Sequence, residues 1–300
     1  MALDARGIIS IVEIILYLPI LVISALLALR NGFTKKAGWI FLIILSIIRL
    51  IGGVTHILSQ ENPTSISLRV IFNIMESSGL SPLLVATLGF LGTTAQHTLD
   101  NIPMLPKGLK VLGFVGAGAL ALAVFGGIMG AKATSQSGLG TADTLRHASA
   151  LLFLALYVCI VALTIFFWKN RQSILKYRRR LRLGIVAALP LLFVRVLYGL
   201  LSSFAPTSVT FVSGHQVPLP PSTDGLGIFA SSSPYWGIYL VMSVIAEYAV
   251  VLIFVGIGLV TPLGQDIVDY EKTHLGRDSS EALAMPVQQP YDVGRYPQQY

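Results

Sequence analysis

Charge is scarce in this chain. Of its 300 residues only 12% are charged while 54% are apolar, and the mean hydropathy is +0.75, too little polar surface to cover a water-soluble globule of this length. Cysteine is almost absent. Cys159 is the single one and sits in an apolar run, which excludes an intramolecular disulfide and offers no thiol-based site. No glycine-rich phosphate loop and no Gly-x-Ser-x-Gly elbow occurs, so ATP-driven transport has no support in the sequence. Asn62 is followed by Pro63, so it is no acceptor for N-glycosylation. Histidine is equally sparse near the apolar runs: His56 and His147 are too few for three-ligand zinc chemistry, and neither a metal nor a cofactor is expected.

What the chain has in abundance is long apolar runs. They lie at residues 7–29, 39–59, 67–91, 109–131, 144–168, 183–204 and 236–260, each close to the ~20 residues that cross roughly 30 Å of hydrocarbon. The fold class is therefore an all-α membrane protein, a bundle of seven transmembrane helices occupying residues 1–264, with 265–300 as a tail. The segment from Met1 to Arg30 is too apolar for too long to be a signal-peptide core and carries Glu13, so it reads as the first span. Pro19, Pro82 and Pro190 fall inside runs, where lipid-embedded helices tolerate them, and none is expected to split a span. The fourth run is rich in glycine and alanine from Gly113 to Gly130, the composition of a packing spine.

The net charge of +7 resides in short loops rather than on an aromatic-interleaved patch, which argues against nucleic acid. Arg30, Lys35 and Lys36 follow the first run, Lys107 and Lys110 precede the fourth, and five arginines with two lysines lie between Lys169 and Arg182. Basic loops of this kind stay cytoplasmic, which places the N-terminus outside and the tail in the cytoplasm. The Lys169–Arg182 loop is also a candidate surface for anionic lipid head groups. Residues 205–235 form a long connection rich in Ser, Pro and Gly, with alternation around Ser213-Gly214 that suits a short hairpin. The end from Met285 is biased to Pro, Gln and Tyr and is expected to be disordered.

The informative residues are the ionisable ones inside the runs. Arg49, Glu76, Arg195 and Glu247 would together cost roughly 10–14 kcal/mol facing lipid, so they must turn inward and pair. Helical spacing gives each polar company: Ser10, Glu13 and Tyr17; Arg49 and His56; Asn73 and Glu76; Arg195, Tyr198 and Ser202; Tyr239, Ser243 and Glu247. Arg146 and His147 are expected to join these stripes near the outer side. At least three acids and two bases, with a histidine, an asparagine and tyrosines, exceed what neutralisation alone requires. Glu13, Tyr17, Arg49, His56, Asn73, Glu76, His147, Arg195, Tyr198 and Glu247 are accordingly the candidates for an outward-facing polar cavity. Arg49 is the first-choice partner for Glu76 and Arg195 the second. The expected partners of the protein are the bilayer itself and a small lipophilic or amphipathic ligand. The alternative is a membrane-embedded enzyme in which Glu76 or Glu247 acts as an acid on a lipophilic substrate.

The Arg-x-x-Tyr of the sixth run (Arg195, Tyr198), Glu247 in the seventh, the exit Pro262-Leu263-Gly264 and the string Arg49-Leu50-Ile51-Gly52-Gly53 resemble an uncharacterised family of filamentous-fungal seven-helix membrane proteins. The chain is also distantly similar to the lipid-translocating-exporter-like family linked to aminocholesterol resistance, whose corresponding pattern is Arg-x-x-Tyr-Arg; here Gly199 stands at the second arginine. The resemblance implies seven spans and no named reaction. Fungal integral-membrane terpene cyclases share the seven-helix architecture and use buried acids, an analogy of architecture alone.

Overall fold

The computed structural model describes residues 4–31, 38–62, 65–95, 104–133, 135–169, 176–206, 209–212, 215–218, 225–230 and 233–261. The tail from residue 265, and residues 170–175 of the basic loop, lie outside these. Among the described residues seven helices are long and apolar enough to cross a membrane. They are α1 (Ala5–Asn31), α2 (Trp39–Glu61), α3 and α4 (Ile66–Ser78 and Leu80–Ala95) as one span, α5 (Met104–Lys132), α6 (Gln136–Lys169), α7 (Lys176–Ser203), and a last span built from α8 (Trp236–Tyr239), a π-helical turn (Leu240–Ile245) and α9 (Ala246–Val260). The connection before the last span carries a two-stranded antiparallel hairpin, β1 (Val209–Val212) with β2 (His215–Pro218), Val212 opposite His215, in keeping with the alternation around residues 213–214.

The third span stays a single crossing, as expected, but carries a local break. Its hydrogen-bond ladder is interrupted at Gly79, three residues before Pro82. Proline has no N–H to give the carbonyl four residues back, and its ring crowds that carbonyl, so the first helix ends at Ser78 and a new one begins at Leu80. Pro19 and Pro190, by contrast, are carried inside unbroken helices.

Seven large aliphatic side chains of α1, including Ile15 and Leu29, face outward, as they must where lipid is the solvent. Glycine sets how close the helices come. A Cβ at Gly53 would meet Ile14 and the Ser10 carbonyl, and one at Gly126 would meet the Ala142 carbonyl, so α1–α2 and α5–α6 pack backbone to backbone. The expected glycine spine is used in part: Gly116, Gly126, Gly127 and Gly130 lie against neighbours, whereas Gly113 and Gly118 face open space.

The bundle has two unlike ends. Opposite the α1 start, Trp39 is fully buried edge-on to Phe90 at 4.7 Å, and Phe90 stacks toward Phe254 at 4.8 Å. At the end where α1 starts, Asp4 accepts from Gln60 Nε2 at 2.7 Å, and Arg6 donates to the Ser233 carbonyl at 3.0 Å. That end is polar and open.

Candidate functional site

Four helices bring their polar stripes together near mid-span. From α1, Tyr17 and Glu13 point inward; from α2, Arg49; from α7, Arg195; from α9, Glu247, which is fully buried. Glu247 is the hub. Arg49 grips its carboxylate through both Nε and a terminal guanidinium nitrogen, Arg195 Nε donates to Oε2 at 3.0 Å, and the Tyr17 hydroxyl donates to Oε1 at 3.0 Å. Such forked, charge-assisted contacts fix geometry as well as adding energy. The remaining Arg49 nitrogen stands 3.9 Å from Glu13 Oε1. Gly79, where the third span breaks, makes room for this guanidinium: a Cβ there would lie 3.0 Å from one of its nitrogens.

Above the network lies a cavity of about 1080 Å³ that reaches Asp4 and Arg6 at the α1 start. Arg195 is its floor, donating to the Glu76 carbonyl at 3.4 Å while holding Glu247 beneath. One wall is apolar and small, with Ala123, Gly126, Gly127 and Phe153; the others carry Asn73, Glu76, Ser149, Tyr198 and Ser202. The Glu76 carboxylate has no hydrogen bond or ion pair among the described residues, yet Arg6, Arg49, Arg195 and Arg146 all act on it electrostatically. At the rim, Arg146 pairs with Asp143 at 3.5 Å. Asp4 caps α1 by accepting from the Gly7 amide at 2.9 Å. Burial pushes the Asp4 carboxyl up, but the Gly7 and Gln60 hydrogen bonds outweigh it and hold the group below its ordinary value.

Of the ten sequence candidates, His56, Asn73, Glu76, Arg195 and Tyr198 line the cavity. Glu13, Tyr17, Arg49 and Glu247 form the sealed network under it. His147 belongs to neither: it stacks flat on Phe204 at 4.2 Å, because one residue past Arg146 turns it about 100° around α6. The expected Glu76–Arg49 pairing is also corrected, since Arg49 chooses Glu247 and Glu13. Three contributors escaped the sequence reading. Arg6 stacks over Tyr239 at 5.5 Å, Gln60 bridges Asp4 and His56, and Asp143 holds Arg146. Their helical spacing could have found two of them, since Arg6 is four residues before Ser10 and Gln60 four after His56.

Among the described residues no group of three His, Cys, Asp or Glu side chains could hold a metal ion. Residues 3–262 match the model of a family described as a domain of unknown function (DUF7702). The chain belongs to the DUF7702 family. That match spans all seven helices and the residues of the network and the cavity. Neither curated proteins nor solved structures gave a match.

Proposed function

We propose that this DUF7702 protein binds a small amphipathic or lipidic molecule in the cavity above Arg195, as a transporter or a receptor-like sensor. The observation that carries the reading is the cavity itself: about 1080 Å³, with one apolar wall and a polar floor, in the middle of a bundle whose opposite end is closed by Trp39, Phe90 and Phe254. The basic loops sit at the closed end in sequence order, so the opening faces away from the cytoplasm in this reading. Of the two acids considered for an enzymatic alternative, Glu247 already accepts from two guanidinium groups and a tyrosine, which leaves it no oxygen to present to a substrate.

The test is thermal unfolding of the detergent-solubilised full-length protein against a panel of lysolipids, sterols and other single-chain amphiphiles. A true ligand at a hundredfold its Kd stabilises by about 2.7 kcal/mol, and Ser202→Trp, which fills the cavity from a half-buried position, should abolish that gain. No stabilisation by any amphiphile would end the binding proposal. Consumption of the added compound, lost in Glu76→Gln, would instead establish the enzyme.

A further inference from the structure

A polar chain runs along the seam between α1 and α2, separate from the cavity floor. Asp4 Oδ1 accepts from Gln60 Nε2 at 2.7 Å; the same amide nitrogen is 3.5 Å from His56 Nε2; His56 Nδ1 is 2.7 Å from Ser10 Oγ. The Asp4 carboxylate can only accept, so Gln60 presents its NH2 to both neighbours, and His56 Nε2 must be the accepting nitrogen. His56 Nδ1 therefore carries the hydrogen and donates to Ser10. Stacked on Phe72 at 4.0 Å and 10°, the ring is held in that plane. The Ser10 hydroxyl hydrogen is left to point onward, and one turn along the inward face of α1 stands Glu13.

Glu13 is the anomaly of the network. It is 5% exposed, and its Oε1 has no hydrogen-bond partner. Arg49 is the nearest cation at 3.9 Å, but its Nε and one terminal nitrogen are committed to Glu247. The charged groups acting on Glu13 are Arg49 of α2, Glu247 of α9, Glu76 of α3 and Arg195 of α7, two of each sign. His56 of α2, Tyr239 of α8 and Tyr17 of its own helix complete its titratable surroundings. The one close cation is thus shared with Glu247 and too far to donate a hydrogen bond, and a buried oxygen without a donor is satisfied when the group takes up a proton.

We infer that Glu13 is a proton-binding site, supplied from the α1-start end of the bundle through His56 and Ser10. A proton from water in the cavity bonds to His56 Nε2 as the Gln60 amide swings aside; the Nδ1–H bond breaks as its proton passes to Ser10 Oγ; and the hydroxyl releases its own proton to the Glu13 carboxylate. The chain ends with one new O–H bond at Glu13 and the imidazole in its other tautomer, which reverses as the proton leaves. Proton binding here is independent of any amphiphile in the cavity.

Infrared difference spectroscopy on the full chain in vesicles of neutral phospholipid reads the site directly, as the external solution is stepped between neutral and acidic. A buried carboxylic-acid C=O band should change with pH in the native chain, vanish in Glu13→Gln, shift in Glu13→Asp and persist in Glu76→Gln. His56→Phe should keep the band at equilibrium but slow its appearance after a pH jump at least tenfold. A band unchanged in both Glu13 variants, or lost in Glu76→Gln instead, overturns the site; an undiminished rate in His56→Phe overturns the route.

Discussion

The two ends of the bundle solve the same problem in opposite ways. At the closed end, space between helices is filled by Trp39, Phe90 and Phe254, and glycines accept the bulk: a Cβ at Gly258 would run into the Trp39 indole. At the open end the helices leave a cavity, and its lower boundary is made by charge rather than volume, with Glu247 clamped between Arg49 and Arg195. Filling with aromatics needs no partner choice and tolerates small shifts. Closing with ions demands that every group be matched, because a stranded buried charge is far more costly than a small void. The polar floor is therefore the more brittle of the two.

Breaking that floor should have the largest effect. Glu247→Gln leaves two guanidinium groups without their shared counter-charge, and the loss is expected at about 3–5 kcal/mol, seen as a collapse of the unfolding temperature and of folded yield in detergent. A change at the closed end should be milder. Gly258→Leu must displace Trp39 from a fully packed position, an overpacking expected to lower stability by about 1–3 kcal/mol in the same assay. If Gly258→Leu proves worse than Glu247→Gln, the ranking of the two ends is reversed.

Smaller effects sharpen the contrast. Asp4→Ala removes the α1 cap and should cost about 0.5–1 kcal/mol, at the low end for capping because the group is largely solvated. Since the folded Asp4 carboxyl lies below its unfolded value, this contribution is present above the ordinary aspartate range and fades as pH falls through the folded value. The difference between native and Asp4→Ala unfolding temperatures should therefore shrink on acidification; a difference that grows would contradict the cap. Glu76→Gln is expected to move stability by no more than about 0.5 kcal/mol, since no hydrogen bond or ion pair to its carboxylate is lost among the described residues. A loss of several kcal/mol there would mean that Glu76, too, belongs to the floor.

The count of spans was legible in the sequence because length and hydropathy alone decide it: seven apolar runs became seven helices. The inward stripes were legible for a similar reason, as an unpaired charge in lipid is too costly to leave outside, and Glu13, Arg49, Arg195 and Glu247 are all buried. Pairing was not legible. Glu76 lies on the span next to Arg49 in sequence, whereas Glu247 is 198 residues away, and only the rotation of each helix about its axis decides which carboxylate meets the guanidinium. His147 failed on the same ground, one residue of helical phase. The break at Gly79 was hidden because Pro82 was read as a tolerated kink, while its missing donor acts at the carbonyl one turn earlier.

The π-helical turn at Leu240–Ile245 has a bearing on descent and alignment. A π turn is an α-helix with one residue inserted, so everything after it is rotated by about 100° relative to everything before. Tyr239 belongs to the first phase and Glu247 to the second. Removing one residue within the wide turn would leave an uninterrupted α-helix in which Tyr239 and Glu247 keep their relative facing, whereas straightening the turn without a deletion would swing Glu247 away from Arg49 and Arg195. Within DUF7702, a relative one residue shorter between the tyrosine and the acid should therefore still present both groups to the same neighbours, and a single-codon deletion within Leu240–Ile245 should be far milder than the loss of Glu247 itself.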